Sequence, residues 1–190
     1  MKGDDLIAAA RPVLILVIVI WCIAAVNLLL GYRLNHWFGL EPRSFAGLIG
    51  VPVMPFLHGG IGHAAANTIP LIFLGALGML VAPQRFPVAS VAIVILSGLA
   101  TWIFARGGAI HVGASGLIFG WFGYLVALGI IERSARALVG TAIVVIFYGG
   151  MIWGVLPQGN ALISWEAHLF GALAGAGVAF LQSQTPEGLH

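Results

Sequence analysis

Ser115 lies in the stretch Gly113-Ala114-Ser115-Gly116 and His168 in Ala167-His168-Leu169-Phe170-Gly171, each at the head of an apolar run. A third polar group, His58-x4-His63-x3-Asn67, opens a further run. A hydroxyl, an imidazole and an amide are the parts of nucleophilic acyl transfer. The imidazole takes the hydroxyl proton, and the amide donates to the oxyanion that forms. Polar groups in hydrocarbon are costly and face a bundle interior or a water-filled cavity. Their coincidence on three apolar runs points to catalysis inside a membrane.

Each residue also has a plainer use. A lone histidine or asparagine in a membrane helix often makes an interhelical hydrogen bond, and a serine at a helix start often caps it. Position argues for more. His63 and Asn67 are four apart, hence on one helix face, while His58, followed by Gly59, Gly60 and Gly62, falls on the connecting loop. Gly113 and Gly116 permit close backbone approach beside Ser115. If a helix begins at Ser115, its free amides and dipole favour an anion there. Gly171 and Gly175, with Gly177 beyond, share a face with His168, and Gly116, Gly120 and Gly123 mark the run after Ser115. Small residues at this spacing let membrane helices approach closely. Packing of the two glycine faces would carry His168 toward Ser115.

The elements that must hold these residues follow from composition. Of 190 residues, 61% are hydrophobic and 7% charged, against about 25% charged in a soluble domain. The expectation is an all-α membrane protein, a polytopic bundle of six transmembrane helices. A span needs about 20 apolar residues, and the segments 12–31, 63–82, 87–105, 115–132, 136–156 and 165–183 qualify. They leave room for one domain over 1–190 and no separate soluble unit. The first run reads as a retained helix, with no small-residue cleavage site after it. A net charge of +2 is too small to imply nucleic-acid binding, and the single cysteine, Cys22, excludes an intrachain disulfide or a multi-cysteine zinc site. Neither metal nor cofactor is expected.

The longest connection, 32–57, carries Trp37, Phe38, Phe45, Leu48 and Phe56 among its polar residues. As a disordered linker it would expose them all, so it reads as an ordered loop dipping into the lipid surface. With the amino terminus cytoplasmic, Lys2, Arg11, Arg85, Arg133 and Arg136 lie inside, against Arg33, Arg43 and Arg106 outside. The positive-inside rule then sets both termini in the cytoplasm of a cell (inner) membrane. Ser115, His168, His63 and Asn67 share one depth, just below the outer surface.

The ordered motifs His-x4-His-x3-Asn, Gly-x-Ser-Gly and Ala-His-x2-Gly-x3-Gly resemble those of the rhomboid intramembrane serine proteases, over nearly the whole chain. The resemblance implies Ser115 as nucleophile, His168 as base, and His63 and Asn67 as oxyanion donors beside the Ser115 amide. His58 falls on the position that braces the first loop and the site's mouth, and Phe119 where an aromatic ring packs against the catalytic histidine. It implies transmembrane or membrane-anchored protein substrates, cut where a helix unwinds in the bilayer. Where many members carry Trp-Arg, this chain has Ile49-Gly50. That departure bears on the anchoring of the first loop and leaves the catalytic pair untouched.

Other readings fit less well. The two motif histidines are five apart with no acid between them, which excludes His-Glu-x-x-His zinc chemistry. Leu117 breaks the Gly-x-Ser-x-Gly signature of soluble hydrolases. A transporter would show an internal repeat, and none is visible. The nearest rival is a catalytically silent rhomboid-like binding module, which would normally lack Ser115 or His168. Glu166 is the only acid near His168. Two helical residues are about 200° apart around the axis, so its expected role is to stabilise the helix start after Ser164, leaving a Ser-His dyad.

Overall fold

The computed structural model describes residues 3–157 and 164–184. Its α-helices are α1 (Gly3–Leu29), α2 (Arg33–Phe38), α3 (Gly50–Val53), α4 (Ile61–Val81), α5 (Phe86–Phe104), α6 (Ser115–Glu132), α7 (Ala135–Tyr148) and α8 (Trp165–Ser183). Among the described residues the only strand-like pairing is one isolated bridge, Leu40 with His111. An apolar chain that must pair its backbone away from water has helices as its open choice.

Among the described residues five helices are long and apolar enough to cross a membrane: Ala10–Leu29, Ile61–Val81, Phe86–Phe104, Ser115–Glu132 and Ala135–Val155. The sixth expected stretch does form the 19-residue helix α8. Glu166, His168 and Gln182 make it more polar than the other five, and it falls outside that group. Two of the helices differ in extent from expectation. The first helix reaches back to Gly3, with Pro12 inside it, and stops at Leu29. Gly31 and Tyr32 then adopt left-handed backbone, φ 61° and 62°, which reverses the chain. The fifth stretch is α-helical only to Tyr148 and continues as a 3-10 helix over Gly149–Val155. Gly149, Gly150 and Gly154 weaken the α-helix there, each by about 1 kcal/mol relative to alanine.

Helix α6 is the axis of the bundle. Leu117, Ile118, Trp121, Tyr124, Leu125 and Leu128 are all buried, as are Leu71 and Leu74 of α4 and Phe86 and Ile93 of α5. Phe86 packs between Trp121 and Tyr124, at ring-centroid distances of 5.3 and 5.8 Å. Helix α1 lies on α4, and α8 lies along α6 and α5. At the end remote from Ser115, Arg85 pairs with Glu132 at 2.6 Å and Tyr124 Oη donates to Gln182 Oε1 at 2.8 Å.

The 32–57 connection is ordered. It holds α2, α3 and the 3-10 turns Ala46–Ile49 and Met54–Phe56. Leu40, Val51 and Met54 form its own small core, while Trp37, Phe38 and Phe45 point outward.

Candidate active site

The site is built on the first turn of α6. The preceding loop turns at Gly108 and Gly113, whose φ values of 75° and 124° favour glycine. Helix α6 begins at Ser115, with Ala114 at its N-cap and no side-chain cap bond. The Ser115 hydroxyl lines the cavity, and the backbone amides of the first turn have no intrahelical acceptor.

His168 reaches this point because two helices touch backbone to backbone. A methyl group on Gly171 would overlap the Gly116 carbonyl, and one on Gly175 the Gly120 carbonyl. Nothing larger than hydrogen fits at either position. This contact sets His168 Nε2 2.9 Å from Ser115 Oγ. The ring's other nitrogen, Nδ1, lies 3.0 Å from the Gly154 carbonyl. A carbonyl only accepts, so Nδ1 carries the proton and Nε2 offers its lone pair to the serine hydroxyl. The Phe119 ring lies flat on the imidazole, centroids 4.2 Å apart and planes 5° apart.

His63 and Asn67 approach from α4, on one face as the four-residue spacing requires. A Cβ at Gly113 would stand 2.8 Å from His63 Nε2 and 3.7 Å from Asn67 Nδ2. The His63 ring leaves no room for a side chain at position 113, and Asn67 stands at ordinary contact distance from the same point. His58 lies on the loop before α4, fully buried, its ring 5.0 Å from that of His63. Its Nε2 accepts from Asn67 Nδ2 at 2.9 Å. Burial, with His63 alongside, pushes the His58 imidazole down to about 4, while the Phe56 carbonyl acts the other way. It is a neutral acceptor at physiological pH. Ser115, His168, His63 and Asn67 all line one cavity of about 1050 Å³, with Phe119, Ile118, Tyr148 and Met151 on its apolar side.

Several contacts here have no signal in the sequence. Gly154 contributes a backbone carbonyl, which any residue type carries. His111 Nδ1 pairs with Ser164 Oγ at 2.5 Å, and His111 exchanges two backbone hydrogen bonds with Leu40. Burial holds His111 below the usual histidine range, with Glu166 and the Arg106 carbonyl pulling the other way. Ser164 therefore spends its hydroxyl on the loop before Ser115 and makes no side-chain cap on α8. Glu166 lies in the first turn of α8, as expected, and its carboxylate also reaches a second partner. It is buried, and its Oε1 lies 3.4 Å from Arg106 Nε and 3.5 Å from the Arg106 amide. These pairs fasten the start of α8 to the loop that delivers Ser115.

The Ile49-Gly50 departure has a steric reason. A side chain at Gly50 would overlap the Leu40 backbone. The first loop is anchored instead by Arg43, which donates through Nη1 to the carbonyls of Ile103, at 3.1 Å, and Ala105, at 2.7 Å. Trp102 Nε1 donates to the Ser44 carbonyl at 2.8 Å. A basic side chain on the last carbonyls of a helix satisfies both their lone pairs and the dipole.

The apolar helices and the polar cavity among them make this an integral multi-pass membrane protein. A family model for the Rhomboid domain matches residues 43–185, and the chain belongs to the rhomboid family. An uncharacterized protein of Mycobacterium tuberculosis is 37% identical over 193 residues, covering 98% of this chain and 80% of its own length. One of Mycobacterium leprae is 38% identical over 147 residues, covering 74% of this chain and 58% of its own. The Bacillus subtilis protein YdcA, whose name proposes a rhomboid protease, is 27% identical over 172 residues, covering 90% of this chain and 79% of its own.

Proposed function

We propose that this chain is an intramembrane serine endopeptidase that cleaves transmembrane or membrane-anchored proteins through a Ser115–His168 dyad. The observation that carries the reading is the line Ser115 Oγ, His168 Nε2, His168 Nδ1, Gly154 carbonyl, with contacts of 2.9 and 3.0 Å. It points the imidazole lone pair at the hydroxyl. Membership of the rhomboid family supports the same reading.

His168 takes the Ser115 proton as Oγ attacks the scissile carbonyl carbon. The C–N bond then breaks, the amine leaves with that proton, and water resolves the acyl-enzyme. His63, Asn67 and the Ser115 amide stabilise the oxyanion, one such donor being worth about 2.7–4 kcal/mol. Gly113 and Gly116 keep the backbone close, Phe119 supports the imidazole, and Gly171 and Gly175 hold α8 on α6. We read 1–190 as one six-helix domain with α8 as the sixth span, both termini cytoplasmic and the cavity toward the outer side of a cell membrane.

A fluorophosphonate tests this without knowledge of the substrate. Ser115 Oγ forms a bond to phosphorus as fluoride leaves, and His168 takes the proton. The detergent-solubilised chain should label on Ser115, and Ser115→Ala and His168→Ala should not. A folded wild type that takes up no label would favour the silent rhomboid-like binding module.

A further inference from the structure

Asn27 sits near the end of α1 and is completely buried. An amide in such a place is costly unless its polar atoms are paired. Here they are. Its Oδ1 accepts from the Leu34 amide at 3.1 Å, and its Nδ2 donates to Asn35 Oδ1 at 2.8 Å and faces the His58 carbonyl at 3.5 Å. Asn35 Nδ2 donates to that same carbonyl at 3.1 Å. The left-handed turn at Gly31 and Tyr32 folds α2 back so that the two asparagines meet.

The residue they grip is the one that grips Asn67. His58 is followed by Gly59 and Gly60, which add little backbone restraint of their own. The two amides supply that restraint from α1 and α2. His58 Nε2 then takes one of the two Nδ2 protons of Asn67. The other is left for the cavity that Asn67 and Ser115 both line.

We propose that Asn27 and Asn35 are positioning residues for the oxyanion hole: by holding the His58 carbonyl they fix the imidazole that orients the Asn67 amide. The inference rests on the proteolytic reading, since it concerns a donor that matters only where an oxyanion forms. It links the amino-terminal helix to the chemistry on α6, over a path of four side chains. A simpler role, stapling α1 to the first loop, would make the same bonds but would not act through Asn67.

A double-mutant cycle separates the two, with fluorophosphonate inactivation of the full chain in detergent as readout. Asn67→Ala should lower the inactivation rate constant by about 10²-fold. Asn35→Ala should lower it about tenfold or more through misplacement of the donor, with the half-saturating phosphonate concentration unchanged. On the Asn67→Ala background Asn35→Ala should have no further effect, because coupled residues are not additive. Asn27→Ala should behave like Asn35→Ala, and if it fails to fold, the half-buried Asn35 decides the matter alone. Effects that multiply, an unchanged rate, or a change confined to half-saturation would overturn the proposal. A wild type that never labels would overturn the proteolytic reading, and this inference with it. A normally labelling wild type with multiplying effects overturns the inference alone.

Discussion

On the proteolytic reading, His168 is a base because of what occupies its other nitrogen. In a Ser-His-Asp triad that place belongs to a carboxylate; here it is taken by the Gly154 carbonyl at 3.0 Å. The Glu166 carboxylate turns to Arg106 instead. Glu166→Gln should therefore keep most of the fluorophosphonate labelling rate, at some cost in thermal stability, while His168→Ala should lose nearly all of it. A normally folded Glu166→Gln variant as inert as His168→Ala would restore a triad. His58 makes a second prediction. Its folded value of about 4 lies below the usual 6.5, so between these pH values the unfolded chain binds the proton more readily. The stability it contributes is complete above 6.5, is lost as pH falls toward about 4, and amounts to roughly 3 kcal/mol. His58→Gln keeps an acceptor for Asn67 and cannot titrate. Its melting temperature in detergent should fall less than that of the wild type over this window; parallel curves would assign the titration to another group.

At the scale of elements, the α6–α8 contact decides whether a dyad exists at all. Gly171 and Gly175 lie against the carbonyls of Gly116 and Gly120, so the helices are as close as two backbones allow. Gly171→Val should push α8 outward and separate His168 from Ser115, removing labelling and stability together. Gly177, on the same helix, has open space where a Cβ would stand. Gly177→Ala should be tolerated and can add about 0.4–1 kcal/mol by restraining the unfolded chain. A stable, fully active Gly171→Val protein would mean that α8 can hold His168 without the close contact. The 3-10 segment Gly149–Val155 has a similar burden. A Cβ at Gly154 would stand 2.6 Å from the Phe119 ring, so the residue that supplies the carbonyl must also be small.

The whole molecule turns its apolar surface outward. Ile146 and Phe147 of α7, Leu29 of α1 and Phe45 of the first loop are all exposed, the last at 89%. Water does not tolerate such a surface, and lipid does. The proposed orientation, with both termini in the cytoplasm, rests on the charge distribution. In a Cys22→Ser background, cysteine at the exposed Glu41 should react with a membrane-impermeant thiol reagent on intact cells. Cysteines at Lys2 and His190, both outside the described residues, should not. Labelling at Lys2 from outside would invert the protein and, on the proteolytic reading, the side on which it would cut.

Much of this was legible in the chain itself. Composition alone required membrane helices, because 7% charged residues cannot cover a water-facing surface. The one-face pairing of His63 with Asn67, the helix start at Ser115 and the register of His168 with its glycines follow from helical period and backbone sterics. Those act over four or seven residues and are written in the local sequence. The partners of Asn27 were not legible there, nor was the Gly154 carbonyl on His168, the His111–Ser164 pair, the turn of Glu166 to Arg106, or the anchoring of the first loop by Arg43 and Trp102. Most of these contacts join positions tens of residues apart, and several use backbone atoms that every residue carries. Which of them meet is decided by the path of the chain in three dimensions, where the α6–α8 contact, the reversal at Gly31 and Tyr32 and the bridge from Leu40 to His111 bring them within hydrogen-bond reach.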